Sequence, residues 1–351
     1  MQSRTKHIIK YILGKISKFT GITSLFYKLN KDRKIILAYH NVIPDKYFED
    51  SINLDHSIKE SQFRKHLEVI KKRFNVGVNL DNPMELTVTF DDGYKNQYLI
   101  ASKILDEYNM NGYFFYAADL LDKKEILLID KIQYWLDYIC PGEYENKKYD
   151  LVLNIDDINS RRKQWSKIQG LIDKKVSFEE ICYILDEMYS FKNINVDKKF
   201  YDLRFTPIKE YELNIMKDNG HKIGAHSASH NRLSNMKNDD LIKDIDRCKI
   251  LLNKGIYNTK TFCYPFGGVE DVSEEAMNIV QLKGFSKGIS FMNTKLKDRE
   301  YSPFFIPRMT LPNTDDEDYI DFMLSGAYYF LKNGRLFPKI KKTSRKEYNY
   351  E

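Results

Sequence analysis

Cysteine is scarce and unpatterned in this chain. Cys140, Cys182, Cys248 and Cys263 show no Cys-x-x-Cys spacing and sit in otherwise apolar stretches. That argues against a disulfide framework and a cysteine-based zinc site, and the thiols read as buried groups in a reducing compartment. Long apolar runs are missing too. No stretch approaches a bilayer span, and no short apolar core with a small-residue cleavage site marks an export signal. The expected location is therefore the cytoplasm. No internal repeat is evident, and no histidine follows His230.

A basic stripe on the body is absent as well. The net charge is +6, but residues 1–34 carry nine Lys/Arg against one Asp, and residues 332–351 carry seven against two Glu, which leaves the body at −7. Basic ends on an acidic body do not suit a nucleic-acid binder, whose positive charge lies on the folded surface. They suit an anionic membrane surface better. Residues 5–29 place Ile8, Ile9, Ile12, Leu13, Ile16 and Phe19, then Ile22, Leu25, Phe26 and Leu29, at helical spacing between lysines. Two readings stay open: an amphipathic helix or helix pair on the inner leaflet, with the protein peripheral there, or a helix packed on the domain's own core.

What is present is a 351-residue chain, 42% hydrophobic and 30% charged, enough for one large α/β domain with an insertion or for two ordinary domains. Its organising stretch is Leu86-Thr87-Val88-Thr89-Phe90-Asp91-Asp92-Gly93, a period-two pattern of a half-buried strand that delivers two acids to its tip. Upstream, Ile35–Tyr39 reads as a strand buried on both faces that ends at His40. A helix over 59–73 led by Ser57, a helix near 95–109 and a strand over 112–117 continue the alternation, which implies parallel connections.

From about Asp119 to Asp202 the rhythm breaks into a mainly helical insertion, with Ser177 opening a capping box and with Tyr134, Trp135 and Trp165 either lining a groove or forming core. Alternation resumes with Thr206-Pro207 expected to start a helix that ends at Gly220. Strands follow over 221–225, 261–264, 285–291 and 304–309, with helices over 238–254 (stopped by Gly255), 273–283 and 315–332. About seven strands result. The segments expected are a basic amphipathic stretch over 1–33, a domain over 34–332 and a basic tail over 333–351.

The chemistry gathers at strand tips. His226 and His230, spaced i, i+4 with Ser-Ala-Ser between them, can share one face of a helical turn and bind one metal ion. With an aspartate from the Asp91-Asp92 tip they form a three-ligand set with an open position, the arrangement a water-activating metal needs.

Together, Thr89-Phe90-Asp91-Asp92-Gly93, His226-Ser227-Ala228-Ser229-His230 and Tyr264-Pro265-Phe266-Gly267 resemble the first three motifs of the polysaccharide deacetylase family (NodB-like, carbohydrate esterase family four). Leu37–Val42 and Ile223–His226 look like that family too. The resemblance covers roughly residues 35–120 and 203–312 and implies a distorted (β/α) barrel. It implies Asp92, His226 and His230 as ligands of one divalent metal, zinc first, with cobalt, nickel and manganese as alternatives. It implies Asp91 as general base, and an oxyanion and substrate site around the Phe266 backbone N–H with Tyr264 and Gly267.

Two departures stand out. Cys263 replaces the arginine that many relatives hold beside the catalytic aspartate, and the late Leu-x-His motif has no match; Ile306-Pro307-Arg308-Met309 stands there instead. His40 is the candidate proton donor, against a structural histidine, and Arg308 the candidate replacement arginine, against a surface ion pair. The expected function is metal-dependent removal of an N-acetyl or O-acetyl group from a sugar, during polysaccharide or lipid- or nucleotide-linked glycan synthesis. That makes it a hydrolase of carbon–nitrogen bonds other than peptide bonds. A deformylase on the same fold and a catalytically silent glycan-binding scaffold at the membrane remain as alternatives.

Overall fold

The computed structural model describes residues 2–48, 56–122, 126–173, 176–188, 198–254, 257, 259–291 and 302–337. Its strands are β1 (Ile35–Tyr39), β2 (Asn41–Ile43), β3 (Ser57–Lys59), β4 (Asn75–Val76), β5 (Glu85–Phe90), β6 (Tyr113–Tyr116), β7 (Gly142–Asn146), β8 (Leu151–Ile155), β9 (Lys222–Ala225), β10 (Thr261–Cys263), β11 (Lys287–Phe291) and β12 (Ile306–Arg308). Seven of them run parallel in the order β1-β5-β6-β9-β10-β11-β12, and β4 adds beside β5. The ring closes where Ala38 donates its N–H to Met309 O (2.9 Å) and Met309 donates to Ile36 O (3.0 Å). This is the expected distorted (β/α) barrel.

Alternation along the barrel strands divides two cores. Ile36, Phe115, Cys263, Ile289 and Ile306 form a small cluster, and their strand neighbours Leu37, Val88, Phe114 and Phe262 join the larger one shared with the helices. β5 is not the half-buried strand its alternating pattern suggests; Leu86 through Phe90 are all buried. Threonine can occupy the second face because its hydroxyls find carbonyls: Thr87 Oγ1 donates to Gly77 O (2.7 Å) and Thr89 Oγ1 to Leu37 O (2.8 Å).

The insertion is mainly helical, as expected, but it also contains the antiparallel hairpin β7–β8. Its own core gathers Trp135, Leu136, Leu153, Ile168, Ile181 and Leu185. Trp135 is fully buried, whereas Trp165 is half-buried and lines a cavity. Ser177 Oγ accepts from Glu180 N (3.1 Å), the N-terminal half of the expected capping box.

Some boundaries differ from expectation. Ser57 lies in β3, paired with Asn41, and the helix begins at Glu60. Thr206-Pro207 does not open a helix: Lys95 and Ile208 use their N–H groups to tie this segment to Thr206 O and Gly93 O, and the helix starts at Glu210. The helix expected over 315–332 is broken at Gly326, whose left-handed φ of 84° separates Glu317–Ser325 from Ala327–Asn333. The Gly255 stop and the tail beyond residue 337 lie outside the described residues.

The N-terminal segment forms α1 (Gln2–Phe19) and α2 (Ile22–Leu29). One side packs on the domain: Leu13 and Phe26 meet the cluster of Tyr319, Phe322 and Ala327, and a Cβ at Gly14 would come within 2.7 Å of Tyr319 N. The other side is open, with Ile12, Ile16, Phe19 and Leu25 exposed. Among the described residues no helix is long and apolar enough to cross a membrane.

Candidate metal centre and active site

At the tip of β5, Asp91 still donates its N–H to Tyr39 O (3.1 Å), but Asp92 turns into the left-handed region at φ 82°. That turn breaks the period-two alternation, so neighbouring carboxylates that would face opposite ways both reach the site. Gly93 follows at φ 107°, and a Cβ there would lie 2.4 Å from the Tyr116 ring, so the turn requires glycine. The next segment, Gln97–Ser102, is a single π-helical stretch, and the Gln97 amide donates to His40 O (3.0 Å) and to Asp91 O, joining two strand tips.

The two histidines lie on a loop, not on the helical turn their spacing suggested. Ser227 and His230 adopt φ of 58° and 59°, and the loop is held by Asp244, whose carboxylate accepts from Ala228 N (2.9 Å), Ser229 N (2.9 Å) and Ser229 Oγ (2.6 Å). Ser227 Oγ accepts from His230 N (2.9 Å). The Asp244 carboxylate and the Ser227 hydroxyl thus shape the loop in place of helical hydrogen bonds, and the rings still converge, with centroids 4.9 Å apart.

Asp92, His226 and His230 each offer a ligand atom, all within 4.8 Å of one another. His226 Nε2 lies 3.6 Å and His230 Nε2 3.2 Å from Asp92 Oδ1, a buried oxygen with no hydrogen bond of good geometry. His226 Nδ1 faces Cys263 O at 2.8 Å, and a carbonyl only accepts, so Nδ1 carries the proton. Burial pushes the His226 imidazole down to about 4, which keeps it neutral at pH 7. Its Nε2 therefore presents a lone pair toward the carboxylate, an arrangement that a cation between them would satisfy. Burial disfavours charge on Asp92 and on His230, but each supports the other: His230 is raised and Asp92 falls below the ordinary carboxylate range. The donor set fits a zinc-type divalent metal, with two imidazoles and one carboxylate and room for a fourth ligand.

Asp91 is buried, with both oxygens on Arg308: Nη1 donates to Oδ1 (2.7 Å) and Nη2 to Oδ2 (2.6 Å). Burial opposes ionisation of Asp91, yet the Arg308 guanidinium holds its pKa below the usual range. Arg308 also donates to Thr89 Oγ1 (2.9 Å) and to Cys263 Sγ (3.0 Å). It is therefore no surface ion pair. The volume that a short Cys263 side chain leaves on β10 is taken up by an arginine arriving from β12.

His40 Nε2 lies 3.9 Å from Asp91 Oδ2, and burial lowers its pKa to about 4, so it rests as a neutral imidazole. Its ring is 4.8 Å from that of His56, a neighbour that sequence spacing did not reveal. Phe266 is left-handed at φ 62°, an outlier for a bulky residue. Its ring packs on His230 (5.3 Å) and on Phe178 of the insertion (5.7 Å). Tyr264 and Gly267 are placed otherwise than the site expectation held. Tyr264 is core, its hydroxyl donating to Phe304 O (2.9 Å), and Gly267 is a turn residue whose N–H donates to Pro265 O (2.7 Å).

The group opens into a cavity of about 430 Å³. Barrel tips supply His40, Asp92, His226 and His230, and the insertion supplies Asp130, Gln133, Trp165 and Arg204. Arg204 donates to Asp130 Oδ1 (2.9 Å) and Gln133 Oε1 (3.1 Å), while Tyr94 donates to Asp130 Oδ2 (2.6 Å). Sequence reading named Trp165 as a groove candidate but missed Asp130, Gln133 and Arg204, which are single polar positions on helices with no fixed spacing to the motifs.

The family model described as polysaccharide deacetylase matches residues 143–285. No curated relative matches. Among solved structures, the Streptococcus pyogenes deacetylase PplD in complex with acetate is similar, with a TM-score of 0.51 at 15% identity over 83% of this chain and 98% of that one. IcaB from Ammonifex degensii gives 0.48 at 15% over 83% and 96%. A family 4 carbohydrate esterase from Streptomyces lividans in complex with acetate gives 0.33 at 9% over 73% and 89%.

Proposed function

We propose that this chain, which resembles the polysaccharide deacetylase family in family-model match, motifs and fold, is a metal-dependent hydrolase that removes an N-acetyl group from a sugar. The observation that carries the reading is the pairing of a ligand set that lines the cavity with a buried ion pair directly behind it. Asp92, His226 and His230 form an unsatisfied donor set, and beside them stands a carboxylate, Asp91, kept ionised by a bidentate arginine. A buried charged pair next to a set of metal ligands favours an enzyme over a scaffold that only binds glycan, because burying charge is costly and strongly perturbed ionisable groups cluster at functional sites.

A divalent metal held by Asp92, His226 and His230 would supply Lewis acidity to the amide carbonyl and to water. The remaining work falls to the chain. Asp91 accepts a proton as water attacks the acyl carbon, and Arg308 fixes both carboxylate oxygens so that the base cannot rotate away. The Phe266 backbone N–H, turned by the left-handed backbone, is the candidate donor to the oxyanion. When the carbon–nitrogen bond breaks, the amine takes a proton and acetate leaves. His40 is neutral at rest, so it serves as donor only after it has taken up a proton, and its 3.9 Å distance from Asp91 makes that carboxyl the nearest source. Trp165 and the Arg204–Asp130–Gln133 group on the opposite wall offer one apolar face and several polar atoms, the pairing that sugar rings recognise.

The test is elemental analysis of the purified chain, followed by acetate release from an N-acetylated oligosaccharide with zinc, cobalt, nickel or manganese added. We expect about one bound metal, lost in His226→Ala, and acetate release that Asp91→Asn abolishes while keeping the metal. Formate release from an N-formylated substrate without acetate release would transfer the reading to a deformylase. Bound metal without any acyl release across polymer, lipid-linked and nucleotide-linked sugars would refute it.

A further inference from the structure

We propose that the outer faces of α1 and α2 dock on an anionic lipid bilayer. The first observation is where apolar surface remains open. Tyr11, Ile12, Ile16 and Phe19 on α1 are between 47 and 94% exposed, and Leu25 and Leu29 on α2 are 52 and 47% exposed. At 100° per residue the four α1 positions fall within one arc, opposite the arc of Leu13, Gly14 and Ser17 that packs on the domain. The surface continues onto helix Ala327–Asn333, where Leu331 is 67% exposed and where Phe330 packs against Phe26 with ring centroids 5.1 Å apart.

The second observation is charge, which selects among occupants. Lys15, Lys18, Lys28 and Lys31 border this surface as exposed cations. Asp318 answers Lys15 and Lys18 jointly, at 3.4 and 2.5 Å, so one acid serves two cations and a positive excess remains. The occupant must therefore be apolar in its interior and negative at its edge. A second copy of this face would bring like charges together. The C-terminal tail beyond residue 337 carries five Lys/Arg against two Glu and is repelled in the same way. An anionic bilayer meets both requirements, since lysine stems lie along the acyl boundary while their ammonium groups reach lipid phosphates.

The third observation is position. Tyr11 shares a cavity with Pro312–Asp316 of the segment after β12, and Asn313 of that segment lines a second cavity with His40, His56 and Phe291. The Tyr11 end of the docking face thus borders the end of the barrel that carries the metal centre, while α2 reaches the other end, where Lys28 and Lys31 share a cavity with Ile35 at the start of β1. The docking stands independently of the deacetylase reading; if both hold, the bound enzyme lies with the flank of its barrel along the surface.

The experiment is co-sedimentation of the full chain with vesicles of phosphatidylcholine alone or of phosphatidylcholine mixed with phosphatidylglycerol, whose negative surface attracts clustered lysines. Partition onto the anionic vesicles should fall at least tenfold in Ile16→Glu/Leu25→Glu and should fall with added salt. Leu282→Glu, a 67% exposed apolar position on helix Glu274–Leu282, away from α1 and α2, should leave it unchanged. The substituted side chains are exposed, and circular dichroism with thermal melting verifies that the fold persists. Wild type that stays in the supernatant, a double variant that binds as wild type does, equal binding to neutral vesicles, or a dimer lost in the double variant without vesicle binding would each overturn the proposal.

Discussion

Arg308→Met separates the two charges at the heart of the site. Both partners are essentially inaccessible, Arg308 at 0% and Asp91 at 1% side-chain exposure, and two hydrogen bonds of 2.7 and 2.6 Å join them. Methionine keeps the length and apolar packing over Phe115 and Phe291 but leaves Asp91 as an unpaired buried carboxylate. Removing one partner of such a pair costs about 3–5 kcal/mol. An unfolding entropy of about 2.1 cal/mol/K per residue over 351 residues makes 1 kcal/mol worth about 1.4 °C, so the melting temperature should fall by about 4–7 °C. Asp91→Asn should cost a similar amount by stranding the guanidinium. The double variant should lose less than the sum, with a coupling of about 2–4 kcal/mol in urea unfolding at unchanged m. Acetate release should vanish in both single variants, while Arg308→Lys, whose single ammonium cannot bridge both oxygens, should retain a fraction. A coupling below about 0.5 kcal/mol would refute the claim that these two charges hold one another, because that is the scatter expected of independent sites.

Three further outcomes are expected. Chelation should lower the melting temperature of wild type but not of Asp92→Asn or His226→Ala, since only the intact donor set gains ligand-linked stability; calorimetry with and without chelator reads this. His66 is buried between the Tyr39 hydroxyl (3.0 Å) and Thr314 O (3.1 Å), and burial lowers it to about 4 from 6.5. The unfolded chain therefore binds the proton more tightly: the contribution is fully present above pH 6.5, is lost as pH falls toward 4, and reaches about 3 kcal/mol. Urea midpoints from pH 7 to 4 should fall more steeply in wild type than in His66→Gln, and parallel curves would refute the assignment. Gly14→Leu should undock α1, because even a Cβ there would come within 2.7 Å of Tyr319 N. Hydrogen exchange should then rise throughout Tyr11–Phe19 while the barrel strands stay protected.

The barrel was legible because its strands are apolar on both faces and end in chemically marked tips, so Ile35–Tyr39, Thr261–Cys263 and their like announced themselves by composition and punctuation. That an aspartate of the β5 tip meets His226 and His230 followed from parallel order, since parallel strands bring their C-terminal ends to one side, while the choice of Asp92 came from the family resemblance. What resisted reading were features decided by tertiary partners. The histidine loop depends on Asp244, a residue that sequence pattern assigns to an ordinary helix face. Tyr264 looked like a site residue through its motif, but just past β10 its ring turns into the core beside Phe262. The hairpin β7–β8 is only partly buried on its first strand, Gly142–Asn146, and so lacks the apolar alternation that marks strands. Arg308, a single charge in a short apolar segment, was legible only as a candidate replacement arginine against a surface ion pair, and barrel closure, which brings it onto Asp91, decides between the two.

That closure also has a consequence for the order in which the protein is made. Asp91 and Arg308 are separated by 217 positions, and the β1–β12 seam depends on Met309, so the ribosome delivers the acid long before its counter-ion. Until β12 emerges, shutting the barrel would trap a bare carboxylate, and the nascent sheet is better left open to water. The last strand therefore acts as a completion signal: a chain cut short anywhere before Arg308 should yield an unclosed, protease-sensitive sheet and not a weakened enzyme. Assembly and competence arrive in the same step.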